Sequence, residues 1–217
     1  MTAVVYVHSI FRSIQGESTR AGLPCAFVRL AGCPLRCSYC DTRDAAEAKG
    51  VPMPVAEVAA AAAALGPRLF EVTGGEPLAQ PGAPALLSAL ADLGFEVLLE
   101  TSGAFSVAGL DPRVRIVMDV KCPGSGMSGR NLPENLGALR QGLDEVKFVI
   151  VSRADFDWAV ALCNEHDLAS RAALLVSPAP GLVALRDCAQ WVLVSGLPLR
   201  LQPQMHKIVW GEDAEGR

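Results

Sequence analysis

The stretch Cys33-Pro34-Leu35-Arg36-Cys37-Ser38-Tyr39-Cys40 contains three cysteines within eight residues. The cysteines are four and three positions apart, in a loop that directly follows a predicted strand over residues 25–30. Iron–sulfur clusters are bound by cysteine thiolates, usually four of them. Three local cysteines without a nearby fourth therefore predict a 4Fe–4S cluster with one iron left open, and an open iron can bind a small molecule.

The alternative for these cysteines is a zinc site. Structural zinc takes four protein ligands, usually as two well-separated pairs. The fourth ligand would have to be Cys25, Cys122, Asp41 or a distant histidine, and none of these stands at a recognised spacing. The pattern therefore favours a cluster over zinc, and favours either of them over unreactive core cysteines.

Composition limits the class of protein. The 217 residues are 51% hydrophobic and 19% charged, which indicates one well-packed soluble domain, expected over residues 1–210 with a flexible polar tail over 211–217. The net charge of −4, without a block of Lys or Arg, argues against a nucleic-acid partner. No apolar run approaches the ~20 residues of a membrane span, and no secretory signal is visible. Seven unevenly spaced cysteines fit a reducing, cytoplasmic compartment.

Strand and helix patterns alternate along the rest of the chain. Strands are predicted within residues 4–14 and over 25–30, 69–72, 95–99, 114–118, 146–151, 173–176 and 199–201. Helices are predicted over 55–65, with Pro52 and Pro54 at its start, and over 83–93, 132–139, 155–164 and 182–194. This alternation predicts an α/β fold with a parallel sheet. About six such units are too few for a closed eight-fold barrel, so we expect an open, partial (β/α)6-type barrel.

Polar motifs follow several of these strands. In Thr73-Gly74-Gly75-Glu76-Pro77, a glycine pair lets the backbone approach a ligand closely and leaves amides free. Glu100-Thr101-Ser102-Gly103, Asp119-Val120-Lys121 and Ser177-Pro178-Ala179-Pro180 are weaker signals, because each could merely end a strand or form a turn. The carboxyl ends of parallel strands carry the site in such folds, so these motifs can converge with the cysteine loop.

The Cys-x3-Cys-x-aromatic-Cys spacing resembles the signature of the radical S-adenosylmethionine superfamily. The resemblance implies a trimmed radical S-adenosylmethionine core, whose 4Fe–4S cluster is bound by Cys33, Cys37 and Cys40. It implies that the reduced cluster splits S-adenosylmethionine into methionine and a 5′-deoxyadenosyl radical. Tyr39 would pack beside the adenine, although an ordinary packing aromatic is an equal alternative. The residues implied in S-adenosylmethionine binding are Ser38, Tyr39, Gly74, Gly75, Glu76, Thr101, Ser102, Asp119, Val120, Lys121 and Ser177.

Four further segments indicate one particular family within this superfamily. They are Phe11-Arg12-Ser13-Ile14-Gln15-Gly16-Glu17-Ser18, Phe27-Val28-Arg29-Leu30, Cys40-Asp41-Thr42 and Gln204-Met205-His206-Lys207. Together they resemble the 7-carboxy-7-deazaguanine synthase family of 7-deazapurine (queuosine-type) biosynthesis, from about residue 8 to residue 210. This family contracts a ring of 6-carboxy-5,6,7,8-tetrahydropterin and releases ammonia, so the resemblance implies a lyase. One departure is Ser18, where the family often has glycine.

The family resemblance also implies ligand contacts. The substrate-binding residues implied are Ile14, Gln15, Gly16, Glu17, Arg29, Thr73 and His206. Arg29 is assigned to the substrate carboxylate, because its planar, permanently charged group matches a carboxylate. Thr42 would be the protein ligand of Mg²⁺, whereas without the family Asp41-Thr42 would be interpreted as a helix N-cap or a turn. No side chain is implied as a catalytic acid or base, since the cofactor radical does the chemistry.

The resemblance further implies an external one-electron reductant protein and a homodimer. Two other functions remain as alternatives. A glycyl-radical enzyme activase shares the cysteine spacing but gives no reason for Gln15-Gly16-Glu17, Arg29 or His206. A non-catalytic iron–sulfur electron carrier would need a fourth ligand and would not need the glycine pair.

Overall fold

The strands and helices follow the predicted alternation closely. The computed structural model describes residues 3–211. The strands are β1 Val4–Ile14, β2 Pro24–Leu30, β3 Val51–Pro54, β4 Leu69–Gly74, β5 Glu96–Thr101, β6 Arg115–Asp119, β7 Glu145–Ile150, β8 Ala173–Pro178 and β9 Leu199–Leu201. The helices are α1 Arg43–Glu47, α2 Val55–Ala63, α3 Ala83–Asp92, α4 Pro133–Gly137, α5 Arg153–Glu165, α6 Leu185–Val194 and α7 Met205–Trp210.

These strands form one sheet in the order β3-β1-β2-β4-β5-β6-β7-β8-β9. From β2 to β9 all neighbours are parallel, whereas β1 is antiparallel to β2 and β3 is antiparallel to β1. Within the described residues the sheet stays open, with β3 and β9 at its edges. The predicted α/β class and open partial barrel are confirmed.

Helices pack against one face of the sheet and leave the other face for polar side chains. One apolar cluster joins α2 and α3 to β1, β2, β4 and β5, and a second joins α5 to β6, β7 and β8. Side chains alternate between the faces of a strand. On β4, Phe70 and Val72 therefore lie in the first cluster, whereas Glu71 and Thr73 face the opposite side. This second face carries the site.

Three elements differ from the prediction. The segment Val51–Pro54 forms the unpredicted strand β3, which pairs with β1 from Val51↔Val7 to Pro54↔Val4, and Pro54 also stands at the predicted helix start as the N-cap of α2. Proline cannot donate to a ladder but is tolerated in edge strands, so Pro52 and Pro54 fit this position. The helices α1 and α7 were not predicted, because each has only five or six residues and little apolar periodicity.

The segments that follow β1 and β9 contact each other across the open side of the sheet. The Met205 amide donates to the Gly16 carbonyl (2.9 Å) and Gln202 Nε2 donates to the Ser18 carbonyl (3.0 Å). A Cβ atom at Gly16 would lie 2.0 Å from His206 Nδ1, so any larger residue there would displace the His206 side chain. Ser18 has a φ of 65°, in the left-handed region that favours glycine.

In residues 3–211, the structure contains no helix that is both long and apolar enough to span a membrane. The predicted flexible tail lies, apart from Gly211, outside the described residues. The single domain over residues 1–210 stays a prediction.

Candidate active site

A cavity of about 640 Å³ lies where the parallel strands end. It brings together the cysteine loop, the segment after β1, the ends of β4, β5 and β6, and the segment after β9. The predicted residues that line it are Ile14, Gln15, Gly16, Glu17, Arg29, Cys33, Cys37, Ser38, Tyr39, Cys40, Thr42, Thr73, Gly74, Gly75, Thr101, Ser102, Asp119, Lys121 and His206. Three predicted residues, Glu76, Val120 and Ser177, are buried and are not part of the lining.

The three loop cysteines share this cavity and are only partly buried. The Leu35 amide points at Cys33 Sγ (3.4 Å), which favours a negatively charged sulfur. Partial burial raises the pKa of Cys33 and Cys37, and the nearby Lys121 ammonium opposes that rise. Thiols that converge on one cavity, beside an amide and a cation, fit a 4Fe–4S cluster, which would hold them as thiolates.

The other cysteines lie away from this loop. Cys25 starts β2 and is fully buried in a small apolar cluster, where burial raises the pKa of its thiol. It stands at the far end of β2 from the loop, about 16 Å along the strand from Leu30. Cys122, Cys163 and Cys188 belong to the second apolar cluster.

The glycine pair connects β4 to the base of the cysteine loop. The amides of Gly75 and Glu76 donate to the carbonyls of Leu30 (3.0 Å) and Gly32 (2.9 Å). The expectation that the glycines leave amides free is therefore wrong for Gly75, because the chain stays paired with β2 and the cysteine loop beyond the end of β4. A Cβ at Gly74 would lie 2.1 Å from the Leu30 oxygen, and one at Gly75 would lie 2.1 Å from the Gly32 oxygen. Glycine is needed here for close backbone packing.

Glu76 organises the neighbouring strand end. Its carboxylate accepts hydrogen bonds from Thr101 Oγ1 (2.8 Å) and from the amide and hydroxyl of Ser102 (2.7 and 2.5 Å). The Leu78 amide donates a fourth bond (3.0 Å), which leaves this fully buried carboxylate well satisfied. Contacts of Glu76, Val120 and Ser177 with S-adenosylmethionine stay predictions.

Two buried polar atoms near the cysteine loop lack a partner among the described residues. They are the Tyr39 hydroxyl and Asp119 Oδ1, whereas Asp119 Oδ2 contacts Lys121 Nζ at 3.0 Å. Lys121 Nζ also lies 5.7 Å from the centre of the Tyr39 ring. Unsatisfied buried polar groups are rare in proteins. Their presence fits a ligand that offers hydroxyl and amino groups, such as S-adenosylmethionine.

Lys147 is the main residue that the sequence prediction missed. The residue is 3% exposed, and its ammonium group contacts three carboxylates: Glu17 Oε2 at 2.7 Å, Glu100 Oε1, and Asp119 Oδ2 at 3.6 Å. Burial alone would raise the pKa of Glu100, but the Lys147 ammonium overrides it and lowers that pKa to about 2. Thr73 Oγ1 donates to the other Glu100 oxygen (3.0 Å). Lys147 therefore holds these three carboxylates together and offsets part of their negative charge.

Replacing Lys147 with methionine should destabilise the fold by about 3–5 kcal/mol at pH 7, because buried carboxylates would lose their cation. The pKa of about 2 for folded Glu100 lies below the unfolded value of about 4.3. The stabilisation is therefore present above pH ~4.3 and is lost as the pH falls towards about 2. Denaturant unfolding of both proteins across this range measures the effect.

The control for this variant is Lys49→Met, which removes an exposed lysine outside the cavity. It should leave the free energy of unfolding within about 0.5 kcal/mol of the parent. Equal stability of Lys147→Met and the parent at pH 7 would contradict the role assigned to Lys147.

Arg29 presents a cation to the cavity. It lies near the end of β2, level with Thr73 on β4. Within residues 3–211 it forms no salt bridge, and its guanidinium carbon lies 5.7 Å from the centre of the Phe11 ring. A guanidinium without a carboxylate partner, stacked on an aromatic ring, can bind an anionic ligand group.

The segment Ile14–Glu17 enters the cavity from the end of the sheet at which the parallel strands begin. Because β1 is antiparallel, Ile14 lies beside Pro24 at the start of β2. Gln15 is 2% exposed, its Nε2 donates to Glu71 Oε2, and its Oε1 accepts from the Glu17 amide (3.0 Å). Both ends of the Gln15 amide are thus used within the protein. Its direct contact with a ligand stays a prediction.

Thr42 lies beside the cysteine loop as the N-cap of α1, but its hydroxyl makes no capping hydrogen bond. Neighbouring Asp41 contacts Lys207 Nζ (2.7 Å) and Gln204 Nε2 (3.2 Å). Partial desolvation would raise the pKa of the Asp41 carboxyl, which stays exposed, but the Lys207 ammonium lowers it to about 2. Burial lowers the pKa of His206, which favours its neutral form. The Thr42 hydroxyl thus lies at the cavity wall without a capping bond, and its binding of Mg²⁺ stays a prediction.

Comparison with known proteins agrees with this geometry. Residues 28–115 match the family model of the radical SAM superfamily. The crystal structure of QueE from Escherichia coli has the same fold, with a TM-score of 0.74 over 92% of this chain and 94% of that one, at 23% identity. Streptococcus suis SuiB bound to S-adenosylmethionine matches with a TM-score of 0.55 over 79% of this chain and 48% of that one, at 14% identity. Fold and site define a radical S-adenosylmethionine enzyme, a class that uses a 4Fe–4S cluster and S-adenosylmethionine.

Within that class, the chain belongs to the 7-carboxy-7-deazaguanine synthase family. The protein of that name from Chlorobaculum tepidum is 43% identical over 99% of this chain and 98% of its own length. Those from Koribacter versatilis and Methanospirillum hungatei are 39% and 40% identical, over 97% and 94% of this chain and 99% and 84% of their own lengths. This membership decides against the activase and the electron carrier.

Proposed function

We propose that the protein converts 6-carboxy-5,6,7,8-tetrahydropterin into 7-carboxy-7-deazaguanine and releases ammonia. The observation that carries this proposal is the pairing of Arg29, without a salt bridge in residues 3–211, with the three cysteines in one cavity. The substrate is a carboxylic acid, and Arg29 offers the matching cation. The name shared by the full-length relatives supports the same reaction.

Cys33, Cys37 and Cys40 would hold the cluster, which together with S-adenosylmethionine supplies a 5′-deoxyadenosyl radical to take hydrogen from C6 of the pterin. The chain itself binds and orients the substrate. Arg29 holds the carboxylate, while Lys147 keeps Glu17 and Glu100 in place around the ring. The contact between Gly16 and His206 holds the segment after β9 against the cavity, which limits the entry of water and stray hydrogen donors.

A magnesium ion is part of this proposal. Mg²⁺ prefers oxygen ligands and keeps several waters, so a single threonine hydroxyl can suffice alongside a substrate carboxylate. Thr42 fits, because it lines the cavity and its hydroxyl is not used as a helix cap. Apart from the three loop cysteines assigned to the cluster, the described residues contain no group of three His, Cys, Asp or Glu side chains placed to hold one metal ion. The ion would then bind with the substrate.

Replacing Thr42 with alanine should remove the response of turnover to added Mg²⁺, whereas Thr42→Ser should keep it because the hydroxyl remains. The measurement is the rate of product formation over a Mg²⁺ titration. A response to Mg²⁺ in Thr42→Ala that equals that of the parent would show that Thr42 is not the ligand.

The proposal also includes a reductant, an oligomeric state and a cellular location. An external one-electron reductant protein reduces the cluster, since the described residues bring only one set of cysteines into the cavity. A homodimer is supported by exposed apolar side chains at the ends of α6 and α7, such as Leu193 (83% exposed) and Ile208 (70% exposed). A cytoplasmic location fits the free cysteines.

Anaerobic reconstitution tests the function. The holoenzyme is incubated with S-adenosylmethionine, dithionite, Mg²⁺ and 6-carboxy-5,6,7,8-tetrahydropterin, and products are followed by mass spectrometry and an ammonia assay. The proposal predicts equal amounts of 7-carboxy-7-deazaguanine and ammonia. Neither product formation nor pterin consumption, with an intact cluster, would overturn it.

A further inference from the structure

Glu71 differs from the other acidic side chains that line the cavity floor. Glu17, Glu100 and Asp119 each contact the Lys147 ammonium. In the part of the chain that the structure describes, Glu71 has no Lys, Arg or His nitrogen within the 4.0 Å of a salt bridge. It is 5% exposed and lines the cavity. A buried carboxyl group without a cation is costly unless it is neutral or hydrogen-bonded.

Apolar side chains flank Glu71 on the two neighbouring strands. Phe27 lies level with Glu71 on the neighbouring strand, and its ring stacks on Phe11 with 5.0 Å between centroids and 10° between planes. Leu98 lies level with Glu71 on the other side and belongs to the same apolar cluster as Phe27. Both phenylalanine rings line the cavity. Such walls suit a flat heteroaromatic ring, with Glu71 as its polar contact.

Gln15 fixes the direction of the Glu71 carboxyl group. The Gln15 amide donates to one lone pair of Oε2, which leaves Oε1 and the second lone pair of Oε2 for a ligand. Burial and the nearby carboxylates of Glu100 and Glu17 raise the pKa of Glu71, which favours the neutral acid. A neutral carboxyl group can donate one hydrogen bond and accept another. It therefore complements a ring nitrogen that stands beside an amino group.

The register of the sheet sets the depth of Glu71 relative to Arg29. Arg29 pairs with Thr73, and Glu71 lies two residues earlier on the same face of β4, about 7 Å deeper. A ligand whose carboxylate is bound at Arg29 would thus present its opposite end to Glu71. In a 6-carboxypterin, the carboxylate and the 2-amino group stand at opposite ends of the fused ring.

We propose that Glu71 is a specificity-determining residue that recognises the 2-aminopyrimidine edge of the substrate. Its carboxyl group accepts a hydrogen bond from the 2-amino group and shares a proton with the adjacent ring nitrogen. Gln15 then acts as a positioning residue, because its amide holds the carboxyl group in place. This assignment rests on the proposed pterin substrate and adds the residue that selects its amino group.

Binding of two stable analogues tests this assignment. The first is 6-carboxypterin, which lacks the hydrogen at C6 and is not turned over, and the second is the same compound without its 2-amino group. Each is measured by anaerobic equilibrium dialysis against the holoenzyme with S-adenosylmethionine. The parent protein should bind 6-carboxypterin about 10- to 100-fold more tightly, because the deaminated analogue leaves a buried carboxyl group unpaired.

Variants separate recognition from folding. Glu71→Met should bind the two analogues within about threefold of each other, since methionine offers neither hydrogen bond. Glu71→Gln, whose carboxamide can make both bonds, should keep the preference. Glu145→Met removes another buried carboxylate, one that contacts Thr19 outside the cavity, and should also keep it. A preference that persists in Glu71→Met, is lost in Glu71→Gln, or is absent from the parent protein would overturn the assignment.

Failure of this assignment can be told apart from failure of the proposed function. If the reconstituted enzyme forms 7-carboxy-7-deazaguanine but Glu71→Met keeps the preference, only the role of Glu71 is wrong. If the parent protein forms no product and binds neither analogue, the proposed substrate is wrong, and the role of Glu71 is overturned with it.

Discussion

Replacement of Cys37 with alanine is expected to reduce the iron content of the reconstituted protein from about four atoms per chain to nearly none. A cluster held by three thiolates cannot tolerate the loss of one of them. Within residues 3–211, no cysteine beyond these three lines the cavity and could replace Cys37. Reductive cleavage of S-adenosylmethionine should be lost with the cluster. Iron analysis and the visible absorption spectrum measure the first effect, and release of 5′-deoxyadenosine measures the second.

The matched control is Cys25→Ala. Cys25 is buried in an apolar cluster at the far end of β2, so its loss should leave the iron content unchanged. A small loss of stability is expected, as for any truncation in a packed core. If Cys25→Ala also lost the cluster, the account of a three-cysteine site with one open iron would be wrong.

The second large effect is expected at Arg29. Replacing it with methionine should weaken binding of 6-carboxypterin about 100-fold or more, because a bidentate, charge-assisted contact to the carboxylate would be lost. Methionine keeps much of the aliphatic contact with the Phe11 ring, so the fold should persist. Equilibrium dialysis with the S-adenosylmethionine-loaded holoenzyme measures the change.

Two controls make this result specific. Arg12→Met removes an exposed arginine of β1 that does not line the cavity, and it should leave affinity unchanged. Pterin without its 6-carboxylate should bind the parent and Arg29→Met with similar affinity. If Arg29→Met weakened both ligands equally, Arg29 would act on the fold of the cavity rather than on the carboxylate.

The cysteine loop and the strand-end motifs could be predicted because each is a local pattern. Cysteine spacing, glycine pairs and strand ends are all visible within a few residues, and parallel strands bring their carboxyl ends to one edge. The same rule could not place Ile14–Glu17, since the direction of β1 depends on its antiparallel pairing with β2.

Lys147 and Glu71 could not be assigned in the same way. Lys147 lies in a strand between buried Val146 and Phe148, and its partner Glu17 is 130 residues away in the chain. A charged residue between two apolar neighbours is the one local signal, and it indicates an inward-facing polar position. Which partners it meets depends on the assembled sheet.

The glycine pair Gly74-Gly75 shows a different limit of prediction from sequence. Its presence at a strand end correctly indicated close backbone approach, but the group approached was the chain itself, at Leu30 and Gly32. Sequence alone does not distinguish a ligand from a neighbouring loop as the reason for a glycine. The register of β2 and β4 decides it.

The most direct test of the account is a crystal structure of the holoenzyme with S-adenosylmethionine and 6-carboxypterin. We expect the ligand carboxylate at Arg29, beside the cysteine loop, and the 2-amino group at Glu71. A ligand bound outside this cavity, or one bound with its carboxylate directed away from Arg29, would contradict it.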